Sequence, residues 1–474
     1  MEYVLGIDLG TSYFKLGLFT RDGDMAGLGR VAVTKEIGDG DRSEIPVDRF
    51  WDLLKLSLNE ACSRAGISPE QIKALSYASQ ANSFLLLDEN KDPLTPVILW
   101  CDDRAENMDG IEDLFVRGDF IEDTGMGLPC SHQFCAAKLL WFQRCQPGLW
   151  SRAAYIATVS DYFTYAMTDQ FVGDTGTASL LGMLNIRTRT WRSDIIDLEG
   201  KQRPTPLLPG SVVGNIKGKM CDLVGLPRGI PFVLGSLDHH MAGVGAGLGT
   251  IADMSESTGT VLACIRLMNT WEPRKRICTG TGIADSQYFQ LVFDDNGAAT
   301  LEWYQRQHAP ELSIPDLERM ADKVDIGSDG ILARPAAHQH TGLNGFCGVD
   351  QHHGHGHFVR AIMESTAFSL RELTERLYVD DLPGKIVATG GGARSDLWLQ
   401  IKSDLLNTDI IRIKADEPAC MGAAMLAALG AAWYPELEGI SNHWIEIDKR
   451  FTPVTRNNHR YCGLYDQWKK STRE

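Results

Sequence analysis

The chain has no excess of basic residues: 46 lysines and arginines stand against 62 aspartates and glutamates, a formal net charge of −16. That balance argues against nucleic acid and anionic membrane surfaces as partners, since both attract positive charge. A Cys-x-x-Cys pair is missing as well. The 11 cysteines are an odd number, which reads as reduced thiols of a cytoplasmic protein rather than a disulfide framework. Long apolar runs are also wanting. The longest uncharged stretch, residues 418–435, is rich in Ala and Gly and falls short of the about 20 residues that span a bilayer comfortably. It is expected as a buried helix packed closely on a sheet. No basic region precedes the apolar run that starts at Tyr3, so that run reads as a strand and not as a signal peptide. Low-complexity linkers and short-period repeats are absent.

What is there is an ordinary globular composition, 43% hydrophobic and 23% charged over 474 residues, long enough for roughly two to four domains. Strand and helix patterns alternate, which predicts an α/β class. Helices are expected over 47–65 and 357–377, and strands over 72–79, 84–87 and 97–100. After a glycine turn near residue 390, two closing helices are expected.

Four segments carry chemistry. In the first, an apolar run ends in Asp8-Leu9-Gly10-Thr11-Ser12 and returns as Phe14-Lys15-Leu16-Gly17. A strand, a glycine turn bearing hydroxyls and a returning strand make a hairpin whose N–H and hydroxyl groups suit a phosphate. Asp8 lies on a strand that looks buried, where a charge needs a partner such as a metal ion. The second, Ser255-Glu256-Ser257-Thr258-Gly259-Thr260-Val261, is a degenerate echo of the first. In the third, the strand ending at Thr389 meets Gly390, Gly391 and Gly392 ahead of a helical pattern, so that a ring or phosphate can approach the backbone closely. The fourth is Asp238, after an apolar run and before a glycine-rich stretch, where open α/β folds place their chemistry. An Asp there also serves as a helix N-cap. Lys15 is open to two readings, phosphate contact or a solvated strand face.

Together these motifs resemble the FGGY family of carbohydrate kinases, its xylulokinase-like branch rather than the glycerol kinases. Gly6 to Ser12 is similar to the family's first phosphate motif, Gly235 to Asp238 to its base-bearing segment, and Gly390 to Trp398 to its adenosine motif. Gly345 to Val349 followed by His357 to Glu364 resembles one family signature, and Lys138 to Phe142 the core of another, with Cys135 and Cys145 departing from it.

The resemblance implies two duplicated actin-like (ribonuclease H-like) ATPase domains with an interdomain cleft. Residues 1–246 would carry sugar and base, and residues 247–474 nucleotide, with the crossing near Gly245 to Gly249. It implies ATP-dependent phosphorylation of a hydroxyl on a small sugar, a ketopentose such as xylulose being favoured. Asp238 would be the catalytic base and Asp8 the holder of Mg²⁺. Thr11, Ser12, Thr260, Gly297, Gly390, Gly391, Gly392 and Ser395 would meet the nucleotide. Gln80, Ala81, Asn82, Asp102, Arg104, Asp238 and His239 would meet the sugar. Ala81 and Asn82 depart from the branch's pattern, and Asp102 and Arg104 equally suit mutual pairing. Alternatives are a kinase for a polyol or an aldonate such as gluconate, and an actin- or Hsp70-like ATPase switch. The expected partners are a small sugar or polyol and a second copy in a homodimer. Six histidines between His338 and His357 raise a metal site as a question, and the Asp174 to Ser179 run is expected as a structural turn.

Overall fold

A computed structural model of the chain describes residues 1–38, 42–116 and 118–471. They form two compact units that interleave along the chain. The first comprises Met1–Gly245, Leu267–Gln290 and Asp416–Ile445; the second takes Ala246–Arg266, Leu291–Ala415 and the segment from Glu446 onward. The sequence suggests one cut near residue 246, whereas the chain re-enters the first unit at Leu267 and again at Asp416.

Close packing accounts for the second return. The Pro418–Gly430 helix, buried from Cys420 to Ala428, lies on the first unit's sheet as the Ala- and Gly-rich composition leads one to expect. A Cβ added at Gly6 would come within 2.0 Å of the Cys420 carbonyl oxygen. The same helix crosses Asp238–Gly245, where a Cβ at Gly245 would stand 2.0 Å from the Pro418 carbonyl oxygen. Only glycine permits such contacts between backbones.

The first sheet has the order Val212–Asn215, Pro231–Val233, Ile72–Ser79, Tyr3–Leu9, Tyr13–Phe19, Met25–Ala32. Tyr3–Leu9 is buried along its whole length, as a continuous apolar run must be when both faces of the sheet are covered. It pairs antiparallel with Tyr13–Phe19 and parallel with Ile72–Ser79. Ser236–Leu237 then pairs parallel with Ala78 and Ser79. Asp8 lies beside Ala78, and Ala78 beside Ser236, so three strands end level. The Val47–Ala65 helix buries Phe50, Trp51, Leu54, Leu58 and Ala61 on one face and ends at Gly66, φ 65°. That face rests on the Met25–Ala32 strand, where a Cβ at Gly29 would strike the Ser57 carbonyl oxygen at 1.8 Å.

The second unit repeats the plan. Met254–Thr258 pairs antiparallel with Leu262–Met268 and parallel with Lys385–Thr389. Asp409–Ile413 and Ile447–Phe451 continue the sheet. Its core gathers Phe358, Ile362, Phe368, Trp398, Tyr461 and Trp468. The long helix is His355–Leu377, two residues longer at its start than its sequence pattern indicates. Among the described residues four α-helices, not two, follow the Gly390 turn. All 11 cysteines are unpaired, and among the described residues no helix is long and apolar enough to cross a membrane.

Candidate active site

In the first unit the site is built on the level ends of the parallel strands. Asp8, 7% exposed, is the next-to-last residue of the buried first strand. Lys15, its antiparallel partner, places Nζ 3.3 Å from Asp8 Oδ2 and 2.8 Å from Glu417 Oε2. Burial pushes the Asp8 carboxyl up to about 6; Lys15 pulls the other way, and Asp238 and Glu417 add to the rise. Burial works against the Lys15 charge, yet Asp8 and Glu417 hold it above the usual lysine range. Lys15 thus bridges two carboxylates and is not a solvated strand lysine.

Asp238 is half-buried and opens the Asp238–Gly245 helix. Its Oδ1 accepts from the adjacent His239 N–H at 2.7 Å, not from the second or third N–H of the helix as a capping side chain would. Among the described residues, Oδ2 has no hydrogen-bond donor. His239 beside it is half-buried. His240 is buried, its Nδ1 3.3 Å from Ser236 Oγ and its ring 4.5 Å from that of Phe289.

The neighbouring segments are tied together by side chains the sequence assigns to sugar. Gln80 is held at both amide atoms: Oε1 accepts from Thr11 Oγ1 at 3.0 Å and Ser83 Oγ at 2.8 Å, and Nε2 donates to the Leu9 carbonyl at 3.3 Å. Asn82, in the left-handed region at φ 61°, donates to the Leu180 carbonyl and accepts from the Cys135 N–H. Ala81 is buried. Asp102, at 0% exposure, accepts from the Ser43 N–H at 2.7 Å and from Arg104 Nε at 2.6 Å. Burial opposes its charge, but the Arg104 and Ser43 bonds hold its carboxyl below the ordinary range. Arg104 also pairs with Glu44 and lies over the rings of Trp141 and Phe142. Asp102 and Arg104 therefore pair with each other. Arg104→Met, which strands Asp102 as a buried unpaired charge, is expected to cost about 3–5 kcal/mol in denaturant unfolding. Unchanged stability with a raised sugar KM would reverse this assignment.

Lys138, inside the second signature, is a residue whose task only the structure reveals. It is buried, donates to the carbonyls of Trp100 and Gln133 at 2.8 Å each, and burial lowers its ammonium to about 8. Trp100, partly exposed, in turn donates its indole N–H to Thr11 Oγ1 at 2.8 Å. Lys138, Trp100, Thr11 and Gln80 thus join the sugar-side segment to the first Gly-Thr turn. Ser12 on that turn is exposed. The Asp174 run folds as a one-turn helix, Thr175–Ser179, whose N–H at Thr177 bonds Asp174 Oδ1 at 2.6 Å.

In the second unit, Thr260 is exposed on the turn after Met254–Thr258. Gly297 is packed beneath that turn: a Cβ there would lie 2.3 Å from the Thr260 carbonyl oxygen. Gly390, at φ 77°, and Gly391 are exposed, while Gly392 is buried against Thr258. Ser395 caps the Asp396–Leu406 helix, accepting from the Trp398 N–H. The turns thus present backbone and hydroxyls, the donor set that suits phosphate.

The histidines disperse. His338 bonds Thr300 and His355 bonds Tyr304. His352, His353 and Asp329 do come together. His353 Nδ1, however, accepts from the Asp350 N–H at 2.9 Å, which leaves the proton on Nε2, facing the Asp329 carbonyl at 3.3 Å. That tautomer clamps a turn and offers no lone pair to a metal at Nε2.

The N-terminal domain of the FGGY family of carbohydrate kinases matches residues 3–245, and the family's C-terminal domain matches residues 327–431. The chain belongs to the FGGY family of carbohydrate kinases. It is a sugar kinase, a phosphotransferase that takes ATP as donor and a small sugar as acceptor. Xylulose kinase from Bacillus subtilis (strain 168) is 29% identical over 491 residues, which span 99% of this chain and 96% of that one. Gluconokinase from Bacillus licheniformis is 26% identical over 98% of this chain and 94% of its own. Ligand-bound xylulose kinase from Lactobacillus acidophilus superposes with a TM-score of 0.88 at 22% identity, over 99% of this chain and 97% of that one. The kinase accordingly has the actin-like ATPase fold, as the two repeated units require.

Proposed function

We propose that the kinase transfers the γ-phosphoryl group of ATP to a hydroxyl of a ketopentose, xylulose in particular. The carrying observation is the alignment of strand ends that sets Asp8 on one strand and Asp238 just past another, close enough for the Asp238 charge to raise the Asp8 carboxyl. Asp238, with Oδ2 lacking a donor among the described residues, accepts the proton of the attacking hydroxyl as its bond to phosphorus forms. Asp8 fits Mg²⁺: a carboxylate oxygen is the ligand type this ion takes, and burial of its charge is relieved by a cation. Bound Mg²⁺ would neutralise charge on the phosphate oxygens.

Ser12 and the N–H groups of the Gly10–Ser12 turn orient phosphate on the first unit. On the second, Thr260, Gly390 and Gly391 receive the nucleotide, with Gly297, Gly392 and Ser395 shaping their turns. His239 and Asp238 face the acceptor, and Trp100 offers its partly exposed ring. Gln80, Ala81, Asn82, Asp102 and Arg104 set that frame through the bonds described above.

The ketopentose is favoured by relatives named xylulose kinase that cover nearly the whole chain. Gluconate is the second reading, supported by the gluconokinases at 26% and 25% identity. Release of ADP from ATP and Mg²⁺, measured across ketopentoses, gluconate, glycerol and deoxy sugars, decides between them. The highest kcat/KM is expected with D-xylulose. A tenfold or greater preference for gluconate or glycerol would overturn the assignment; because one polar contact is worth about that factor, smaller differences rank close analogues only.

A further inference from the structure

The second unit's hairpin also carries an acid, Glu256, set one residue farther from its turn: Asp8 precedes Gly10 by two residues and Glu256 precedes Gly259 by three. Each acid lies just before a Gly-Thr turn, on the strand that pairs antiparallel with the return strand and parallel with the next. Their settings differ sharply. The Lys15–Asp8 pair keeps side-chain exposures of 22% and 9%, whereas Lys402 and Glu256 are both sealed at 0%. Lys402 Nζ donates to Glu256 Oε1 at 2.7 Å and to Thr258 Oγ1 at 2.6 Å, and Thr258 Oγ1 donates to Glu256 Oε2 at 2.8 Å. The ammonium also lies 5.5 Å from the centre of the Trp398 ring.

A closed triangle of this kind leaves neither carboxylate oxygen for an ion. Net stability is a weak reason for it, because a buried ion pair is often matched by apolar residues of the same shape. What the triangle fixes is Thr258, on which two turns meet. Its side chain is drawn inward, and its backbone and Cβ form the floor of the glycine turn. A Cβ at Gly390 would lie 2.8 Å from the Thr258 carbonyl oxygen, and one at Gly392 would lie 2.7 Å from Thr258 Cβ.

We infer that Lys402 is a positioning residue for the nucleotide: acting through Thr258, it locks the Gly259–Thr260 turn to the Gly390–Gly392 turn. ATP then meets one preformed surface and does not have to order two turns on arrival. The inference rests on the assignment of nucleotide to these turns in the second unit.

Thr258→Val and the uncharged double variant Lys402→Met/Glu256→Gln test it, with ADP affinity read by calorimetry alongside the KM values for ATP and sugar and the Tm. Thr258→Val removes one hydroxyl and no charge, so the outcome does not depend on the double variant folding. Both variants are expected to weaken ADP roughly tenfold, the worth of one positioned hydrogen bond, and to raise the KM for ATP in step. The sugar KM should stay near its original value. Thr260→Val, on the turn but outside the triangle, is the comparison. If Thr260→Val weakens ADP while Thr258→Val and the double variant bind it normally, the positioning role of Lys402 is wrong and the nucleotide assignment stands. If none of the three weakens ADP, the nucleotide assignment falls and the inference with it. A sugar KM that rises as much as the ADP dissociation constant in Thr258→Val marks general loosening and also overturns the inference.

Discussion

Replacing Asp238 with Asn is expected to lower sugar-dependent turnover by on the order of 10² to 10⁴, the usual range for loss of a general base. Asn keeps the size of the side chain and its acceptor oxygen toward the His239 N–H, but no longer offers a basic oxygen. Nucleotide affinity should remain close to its original value, since the proposed phosphate donors lie on the glycine turns. Thermal stability should also change little. Were Asp238 only a cap, turnover would be preserved, because Asn caps as well as Asp. The observed bond to the adjacent N–H already departs from capping geometry. Steady-state kinetics with the best acceptor, together with a melting curve, separates the two: near-normal turnover in a well-folded Asp238→Asn protein removes the catalytic assignment.

The second large effect combines lost activity with gained stability. Asp8→Asn removes the proposed holder of Mg²⁺ and is expected to cut turnover by at least about 10²-fold, since a metal ion at the phosphates supplies several kcal/mol of charge stabilisation. Its effect on folding follows from the carboxyl held at about 6 in the native state, against 3.8 for the ordinary group. Between those values the folded chain binds a proton that the unfolded chain has lost. Stability therefore falls as pH rises through this window, and the cost is complete above about pH 6. Asn carries no such charge. In protein freed of divalent ions by a chelator, the variant should be more stable than the parent at pH 8, by about 1–3 kcal/mol. The gap should close as pH falls toward 4. Lys15 retains Glu417 as partner in the variant, so no cation is stranded. A variant less stable than the parent at pH 8 would show that the Lys15 pair outweighs the burial cost.

Much of this fold could be read from pattern alone. Val47–Ala65 and Ile72–Ser79 fall at the bounds their periodicity suggests, because apolar spacing and a flanking glycine specify them locally. Both Gly-Thr hairpins and the Gly390 turn were visible for the same reason. The Thr455–Ser471 helix was not. It buries only Tyr461, Tyr465 and Trp468; these recur at helical spacing, but the polar residues that fill the rest of the segment mask the face they form. Nor could one sequence show that residues 267–290 and 416–445 rejoin the first unit, since that depends on backbone contacts far apart in the chain.

The candidate site divides along a similar line. Asp8 and Asp238 stand out because a carboxylate at the end of an apolar run is unusual wherever it occurs. The tasks of Gln80, Asn82, Asp102 and Arg104 did not, because a polar side chain near a site looks the same whether it faces a ligand or a neighbouring loop. Distances supply the partners, and here the amides and the guanidinium bond to protein groups. Lys138 and Lys402 were hidden for a different reason: a lysine in a helical pattern reads as solvent-facing until its burial is known.

The seat of the Pro418–Gly430 helix on Gly6, Gly245 and the strands between them has a consequence for synthesis. The first 245 residues leave the ribosome without the helix that covers their central strand. At roughly 5–20 residues per second, the wait for that helix lasts on the order of 10–40 s. During this time the groove above Gly6 and Gly17 has no native cover, and a nascent chain of this kind is a natural client for chaperones that shield apolar strands. A break in the coding sequence shortly before Asp416 would thus disable the early half of the protein, not merely shorten the late one.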